Sequence, residues 1–493
     1  FFESALNKQG WSYYRQDKYN RALTYFIAAL DHVVEQADVP GSANSRLENR
    51  QIDDAHRAIS LSFSYLGGAD AIETYIRESG DSVYEQAFYR HLAEYYLSKD
   101  RYTDAARTYQ AWIDKYPYAE TAPSYAMRII AIYQRGGFID LSTTARKNFA
   151  IRYGPSADYW QKSGSKVEPV SVEYQKENIR ILAKSSHARY KQLQKGKDKH
   201  DSYQQAIRWY REYYYHYPLD EQAPQMSKLL AELYLENGDY RSAALEFEHI
   251  ARNNPASDLA ADSAYAALYA YRENLKTLPE SRRRSAREDI PEKSLRFADQ
   301  YPRHAETGAV LTTAAYDFLK LKNYTAATDT AKRVISQYPE LDASTLRSAW
   351  MVRADAAFES GHYAEAENAY SRALAMTAPG DNEHAALSEN LAASIYRQAE
   401  YARARNEHGS AAQHFMRLKS VAPDASLSAS AQYEAASALV SIGEWSRAAV
   451  VLEDFQKQNP AHELSAVTTR NLAAIYRKND ELLKSAEKLE RVA

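Results

Sequence analysis

Residues 231–255 read AELYLENGDYRSAALEFEHIARNNP, and this stretch carries the clearest structural pattern in the chain. Two segments with helical periodicity flank an Asn-Gly dipeptide, which is typical of a tight turn. In the second segment Tyr240, Ala243 and Phe247 are spaced i, i+3 and i+7, so they share one face of a helix. A small residue such as Ala243 lets two helices approach closely, and aromatic rings fill the space on either side. The stretch therefore predicts two antiparallel helices joined by a short turn.

The same pattern recurs along the chain, and prolines mark its period. Three of the steps between these prolines are 37 residues long, as expected for helix-pair repeats. The step from Pro255 to Pro302 is 47 residues and predicts an insertion, whereas the step of 84 residues from Pro339 to Pro423 predicts two units. The prolines that close predicted units are Pro117, Pro218, Pro255, Pro302, Pro339, Pro423 and Pro460.

Repetition of this unit predicts an all-α fold, a right-handed α-solenoid of antiparallel helix pairs with about eleven or twelve repeats. Short turns force neighbouring helices to run antiparallel. We predict four segments along the chain: N-terminal repeats at 1–155, a degenerate linker or helical insertion at 156–202, central repeats at 203–376, and C-terminal repeats at 377–493 that are truncated at their end.

The charge balance argues against a nucleic-acid partner. The 493 residues include 62 basic and 65 acidic side chains, which gives a net charge of −3, whereas nucleic-acid binding calls for a basic stripe. Two local basic clusters lie in lengthened units, and we interpret them as solvated loops or helix ends, or alternatively as docking patches for an acidic partner. They are Lys191, Lys195, Lys197 and Lys199, and Arg282, Arg283, Arg284 and Arg287.

The absence of cysteine excludes disulfides, cysteine nucleophiles and thiolate metal sites, and it fits an oxidising compartment. No apolar run approaches the ~18–20 residues of a membrane span. The chain opens at Phe1 without a methionine and ends inside a helical pattern at Ala493. We therefore expect a piece of a longer protein, from which a signal peptide or lipid anchor could have been removed.

The repeating pattern resembles the tetratricopeptide repeat over most of the chain. Its consensus has a small residue at the eighth position, aromatic residues at the eleventh, seventeenth and twenty-fourth, alanine at the twentieth and proline at the thirty-second. The resemblance implies a binding scaffold in which the first helix of each pair lines a concave groove.

A narrower similarity concerns the end of the unit, where a Tyr-Pro close is followed by a small or acidic spacer and an Ala-rich helix start. It appears after Tyr116, Tyr217 and Tyr301. This style is similar to the bacterial envelope subfamily that includes the outer-membrane assembly lipoprotein BamD and the Tol–Pal-associated protein YbgF. The similarity implies an adaptor in the periplasm or cell envelope.

The family resemblance also implies which side chains point into the groove. The resulting surface has mixed charge and spaced aromatic rings, which suits an extended peptide or a partner helix. The candidate partner-binding residues are Trp11, Tyr14, Arg15, Arg90, Glu94, Lys228, Glu232, Tyr316, Lys320, Met351, Asp355, Tyr433, Arg470 and Arg477.

The most aromatic stretch of the chain, residues 209–217, reads WYREYYYHY. Tyr210 and Tyr213 fall on packing positions of a second helix and are predicted to lie in the core. Trp209, Tyr214 and Tyr215 are not needed there and form a candidate aromatic patch. Because exposed rings stack on sugars or anchor protein partners, these residues motivate a hypothesis of glycan binding.

Signatures of catalysis are missing from the sequence. It contains no GxSxG elbow, no HExxH motif and no Walker loop, and its histidines are scattered. We therefore expect a protein that is not an enzyme and has neither a cofactor nor a metal. The leading hypothesis is a protein-protein interaction scaffold in the bacterial periplasm or at the outer membrane. The alternatives are a cytoplasmic peptide-binding adaptor and a polysaccharide- or peptidoglycan-associated export or cell-wall factor.

Overall fold

A computed structural model describes residues 2–37, 45–80, 82–164 and 169–490; Phe1, Ala493 and part of the predicted segment 156–202 lie outside them. Within those ranges every regular element is a helix, as the sequence predicts. In the first part of the chain the helices are α1 (Phe2–Tyr14), α2 (Tyr19–Ala37), α3 (Ser45–Leu66), α4 (Ala69–Ser79), α5 (Glu85–Ser98), α6 (Tyr102–Lys115), α7 (Ala122–Arg135), α8 (Ile139–Arg152), α9 (Asp158–Ser163), α10 (Pro169–Gln192), α11 (Lys197–His216) and α12 (Ala223–Glu236). They continue with α13 (Tyr240–Asn253), α14 (Leu259–Thr277), α15 (Glu280–Gln300), α16 (Thr307–Lys320), α17 (Tyr324–Gln337), α18 (Ala343–Glu359), α19 (Tyr363–Ala375), α20 (Asn382–Ala404), α21 (His408–Val421), α22 (Leu427–Ser441), α23 (Trp445–Gln458), α24 (Ser465–Lys478) and α25 (Leu482–Glu490).

The helices form two compact units, residues 1–237 with α1–α12 and residues 238–493 with α13–α25. Inside each unit a helix packs mainly against its neighbours in the sequence, as α1 does with α2 and α18 with α19. This arrangement of successive pairs confirms the predicted all-α solenoid. The boundary between the units falls inside the predicted segment 203–376, and the four-segment division of the chain stays a prediction.

Six second helices begin at the aromatic residue of the repeat, as the sequence pattern indicates. The preceding turn passes through the left-handed region, with φ of 54° at Asp100 and 78° at Gly361. This conformation reverses the chain within two or three residues. Inside a unit the second helix then packs on the first, as α6 does on α5 and α19 on α18. The aromatic residues at the helix starts are Tyr19, Tyr102, Tyr240, Tyr324, Tyr363 and Trp445.

Each closing proline ends a helix at the residue before it. Tyr116, for example, caps α6 with φ −123° and ψ 69°, outside the helical region. A proline disfavours helical geometry in the preceding residue, so the dipeptide fixes where the second helix stops. The capping residues are Tyr116, Tyr217, Asn254, Tyr301, Tyr338, Ala422 and Asn459.

The small residues of the pattern lie where helices cross, which confirms their predicted role. A Cβ atom added to Gly10 of α1 would lie 2.5 Å from a ring carbon of Phe26 on α2. Contact this close requires small side chains at the crossing point. The consensus alanines with no exposed surface are Ala93, Ala105, Ala231, Ala243, Ala315, Ala327, Ala354, Ala366 and Ala448.

The long step between Pro255 and Pro302 is accounted for by a lengthened helix pair. α14 has 19 residues and α15 has 21, whereas α16 and α17 have 14 each. The extra turns carry the basic residues 282–287, and Pro291 lies inside α15 after them. Among the described helices none is long and apolar enough to cross a membrane.

Candidate partner-binding surface

In the second unit, the first helices of the pairs are α14, α16, α18, α20, α22 and α24. Side chains of α16, α18 and α20 line an open cleft of about 490 Å³, which we call the central cleft. Two predicted groove residues from consecutive pairs, Lys320 and Asp355, come together there. The complete lining is Leu319, Lys320, Lys322, Tyr324, Asp355, Phe358, Glu359, Tyr370, Asn390 and Ala393.

Asp355 is the most constrained polar group in the central cleft. Its Oδ1 accepts a hydrogen bond of 2.5 Å from the Tyr370 hydroxyl. Burial raises the pKa of Asp355 above its usual value, although the Tyr370 hydrogen bond and the charge of Lys320 oppose the change. Burial and the nearby Asp355 carboxylate likewise raise the pKa of Tyr370. A carboxyl group in this setting gains from any additional donor that enters the cleft.

Lys320 and Lys322 supply positive charge at one edge of the central cleft. The Lys320 ammonium lies 5.0 Å from the ring centre of Tyr316, another predicted groove residue, which is 48% exposed. Neither lysine has a carboxylate within ion-pair distance in the part of the chain that the structure describes. Asn390 lines the cleft from α20 and is exposed. Sequence reasoning missed Asn390, because its position in the consensus is obscured by the lengthened α20.

A second cleft of about 300 Å³ lies between α22 and α24 and contains the predicted residue Tyr433. Asn471 of α24 donates a hydrogen bond of 2.9 Å to the Tyr433 hydroxyl, which fixes the ring across the two helices. Trp445 and Lys478 contribute an aromatic wall and a charge to the same cleft. The predicted residue Tyr433 is therefore held by Asn471, which was not predicted.

In the first unit, the carboxylate of the predicted residue Glu94 on α5 already has hydrogen-bond partners within the chain. It accepts hydrogen bonds from the Tyr109 hydroxyl at 2.6 Å and from Arg128 at 3.0 and 2.9 Å. Burial opposes ionisation, but the hydrogen bonds from Arg128 and Tyr109 prevail and lower the pKa of Glu94. Arg128 was not predicted, although its place on the next first helix, α7, is the signal that marks it. Arg90 is exposed, and its Nη2 lies 3.2 Å from Nε2 of His91.

The N-terminal predicted residues belong to an aromatic cluster on α1 and its neighbours, formed by Trp11, Tyr14, Tyr19 and Tyr65. The Trp11 and Tyr14 rings meet edge to face at 5.4 Å, and Tyr65 of α3 stacks on Tyr19 at 4.9 Å. Trp11 is 39% exposed and Tyr65 is 60% exposed. Sequence reasoning missed Tyr65, because the unit around it lacks the full consensus spacing.

The other predicted groove residues line none of the clefts described above. Met351 on α18 is half-buried and packs against the core of the second unit. Its flexible thioether can fill irregular space there. The remaining ones are exposed or half-buried: Arg15 after α1, Lys228 and Glu232 on α12, and Arg470 and Arg477 on α24.

The candidate aromatic patch is only partly present. Tyr210 and Tyr213 are buried, as predicted, but Trp209 is also buried with 3% of its surface exposed. The prediction of a free Trp209 ring is wrong, because α11 packs against both α10 and α12 and buries a wider face than one helical stripe. Tyr215 is 78% exposed and Tyr214 is half-buried. The described residues contain no cluster of three or more His, Asp or Glu side chains arranged to hold a metal ion.

Comparison with known proteins finds a match to one family of repeats in two segments of the chain. The family model of the tetratricopeptide repeat matches residues 65–120 and 351–423. No curated protein matches the chain. Among solved structures, the crystal structure of BtubC (BKLC) from P. vanneervenii is 20% identical, and the match covers 42% of this chain and 87% of that one with a TM-score of 0.21. The two matched segments and the successive helix pairs support a repeat protein of the tetratricopeptide type.

Proposed function

We propose that this protein is a non-catalytic interaction scaffold whose first-helix surface in the second unit receives a segment of a partner protein. The observation that carries the proposal is the meeting of Lys320 and Asp355 in the central cleft. These residues come from consecutive helix pairs, so a segment that contacts both runs across the repeats. Tetratricopeptide repeats suggest protein binding in general, and the central cleft is a candidate location for the bound segment.

The chemistry of the central cleft suits a peptide better than a small metabolite. Its walls combine cations, carboxyl groups, the amide of Asn390 and the apolar side chains of Phe358 and Leu319. A peptide backbone offers donors and acceptors at regular intervals, and its side chains meet the apolar walls. The cleft is open along the surface, which allows a segment to enter sideways.

For the cellular role we propose an adaptor that organises a complex in the bacterial periplasm or at the outer membrane. The Tyr-Pro unit ends and the lack of cysteine in all 493 residues support this assignment. A cytoplasmic peptide-binding adaptor is the alternative. The third alternative, a polysaccharide- or peptidoglycan-associated factor, rests mainly on Tyr215, since Trp209 is buried.

Site-specific photo-crosslinking tests the proposed surface. A photoreactive amino acid replaces Asn390 in the central cleft, and a matched control replaces Val450, which is 58% exposed on the second helix α23. After irradiation in the cells of origin, mass spectrometry identifies the captured proteins. We expect a defined partner from position 390 and none of it from position 450.

Equal capture at both positions, or no capture at position 390, would remove the central cleft from consideration. The identity of the captured proteins also tests the compartment. Envelope proteins among them support the envelope adaptor, and exclusively cytoplasmic partners support the alternative.

A further inference from the structure

The lengthened helix pair α14–α15 creates a second, adjoining cleft of about 550 Å³. Its walls come from the end of α14, the extra turns of α15 and the end of α16. Basic side chains from all three places point to it, so we call it the cationic cleft. The five cations in its lining are Arg272, Arg284, Arg287, Lys320 and Lys322.

Positive charge in the cationic cleft exceeds the negative charge beside it. Arg272 is paired with Asp317 at 2.8 Å. Arg284 is 90% exposed and lies 3.4 Å from Glu288, in a surface pair that contributes little. Lys320 and Lys322 have no carboxylate within ion-pair distance among the described residues. Arg287 lies 3.7 Å from Glu280, in a second exposed surface pair. The unmatched cations of the cleft are therefore Lys320 and Lys322, and the pairs of Arg284 and Arg287 are weak because they face solvent.

We propose that the cationic cleft binds an acidic segment of a partner protein. The proposal rests on the proposed function, because the cationic and central clefts share Lys320 and Lys322. Guanidinium groups such as those of Arg284 and Arg287 bind carboxylates with two parallel hydrogen bonds. Leu275 adds an apolar wall, so the matching segment alternates acidic and apolar side chains.

The charges favour a protein segment over a nucleic acid. Glu288 and Asp317 lie in the walls of the cationic cleft and repel a continuous phosphate backbone. In a segment that alternates acidic and apolar residues, apolar side chains separate the carboxylates and can lie beside these two acidic positions. Nucleic-acid binding also depends on a long basic stripe, and the basic residues of this cleft are confined to the ends of three helices.

Fluorescence anisotropy with a short labelled peptide of alternating glutamate and leucine tests the proposal on the full chain. The same peptide with glutamine in place of glutamate serves as the uncharged probe. We expect the glutamate peptide to bind, with affinity that falls as salt is raised. The double variant Arg284→Glu/Arg287→Glu is expected to weaken binding by about tenfold or more.

The charge-matched control is Arg282→Glu/Arg296→Glu, which changes two exposed arginines outside the lining. Far-UV circular dichroism and thermal unfolding verify that both variants keep the fold. Equal loss of binding in the two double variants, or equal binding of the glutamine peptide, would overturn the proposal. Tighter binding of a single-stranded oligothymidylate through Arg284 and Arg287 would also overturn it.

The crosslink from position 390 separates this proposal from the proposed function. If the glutamate peptide does not bind while position 390 still captures its partner, the proposal of an acidic partner segment is wrong and the proposed scaffold function is retained. If the peptide binds and position 390 captures nothing, the cationic cleft stands and the partner does not dock against Asn390.

Discussion

The Tyr109 hydroxyl donates a hydrogen bond of 2.6 Å to Glu94, fifteen residues earlier in the chain. Tyr370 donates to Asp355 at 2.5 Å with the same separation of fifteen residues. In both pairs the tyrosine belongs to the second helix and the carboxylate to the first. The repeat therefore contains a polar contact between its two helices in addition to its apolar core, and the two copies differ in what else the carboxylate contacts.

The two tyrosines predict unequal losses of stability. In Tyr109→Phe, Glu94 keeps its bonds to Arg128, so we expect a cost of about 1 kcal/mol. In Tyr370→Phe, Asp355 loses its hydrogen-bond donor in a buried setting, and the expected cost rises to about 1–3 kcal/mol. Urea unfolding, with hydrogen exchange to locate the change, measures both. Equal costs would contradict the role assigned to Arg128.

Gly10 predicts sensitivity to a single methyl group. The added Cβ in Gly10→Ala meets the Phe26 ring at 2.5 Å, so the ring or helix α1 has to shift, with an expected cost of about 1–3 kcal/mol. The matched control is Gly409→Ala, where a Cβ in α21 meets no atom within 4 Å. We expect that variant to be neutral or slightly more stable, because alanine favours a helix. Thermal unfolding compares the two, and similar melting temperatures would contradict the close approach of α1 and α2.

Trp209 and Tyr215 predict different effects on stability, because the first ring is buried and the second is exposed. Trp209→Ala is expected to destabilise the first unit by about 3–5 kcal/mol, because the ring is buried. Tyr215→Ala removes an exposed ring and is expected to change stability by less than about 0.5 kcal/mol. The measurement is chemical denaturation followed by circular dichroism. A glycan pull-down that the Tyr215→Ala variant passes unchanged would remove the glycan hypothesis.

The stacked pair His56 and His91 predicts loss of stability in mild acid. Their rings are parallel at 4.0 Å, and burial together with the charges of His91 and Arg90 lowers the pKa of His56 to about 3. Burial and Arg90 also lower the pKa of His91. Below the ordinary histidine pKa of about 6.5 the unfolded chain binds protons that the folded chain excludes. The contribution of these histidines to the free energy of unfolding is therefore fully present above a pH of about 6.5, and it decreases as the pH drops toward about 3.

The slope of that loss is expected to reach about 1.4 kcal/mol per pH unit for each histidine that stays neutral in the folded chain. Urea titrations between neutral and acidic pH measure it. His56→Phe keeps a ring on His91 and removes one titrating group, so its curve should be flatter. Parallel curves for the variant and the original chain would show that His56 does not exclude the proton.

The repeat itself was predictable from the sequence because its rules are local. Tyr102 and Gly361 each act within one helix pair, and the spacing of aromatic and small residues is enough to place the helices. The narrower similarity to bacterial envelope proteins stays a prediction, as does the compartment. The right-handed sense of the solenoid also stays a prediction.

The surface was harder to predict because it depends on contacts between pairs. Arg128 and Tyr65 each contact a residue of another pair, and Asn390 lines a cleft with residues of other pairs. Only the place of Arg128 on a first helix gave a signal in the sequence. Trp209 was misplaced for the same reason, since a periodicity argument assigns one buried face to a helix that packs on two sides. Lys320 and Asp355 were found because the consensus positions of neighbouring pairs align.

The packing of helices mainly against their sequence neighbours has a consequence for synthesis on the ribosome. A helix pair has most of its partners as soon as the next pair has emerged, so it need not wait for the end of the chain. Within each unit the apolar faces of early pairs are then covered while translation continues. We expect nascent chains in which α7 and α8 have also emerged from the ribosome to resist a protease over α5 and α6, although most of the protein has yet to be made.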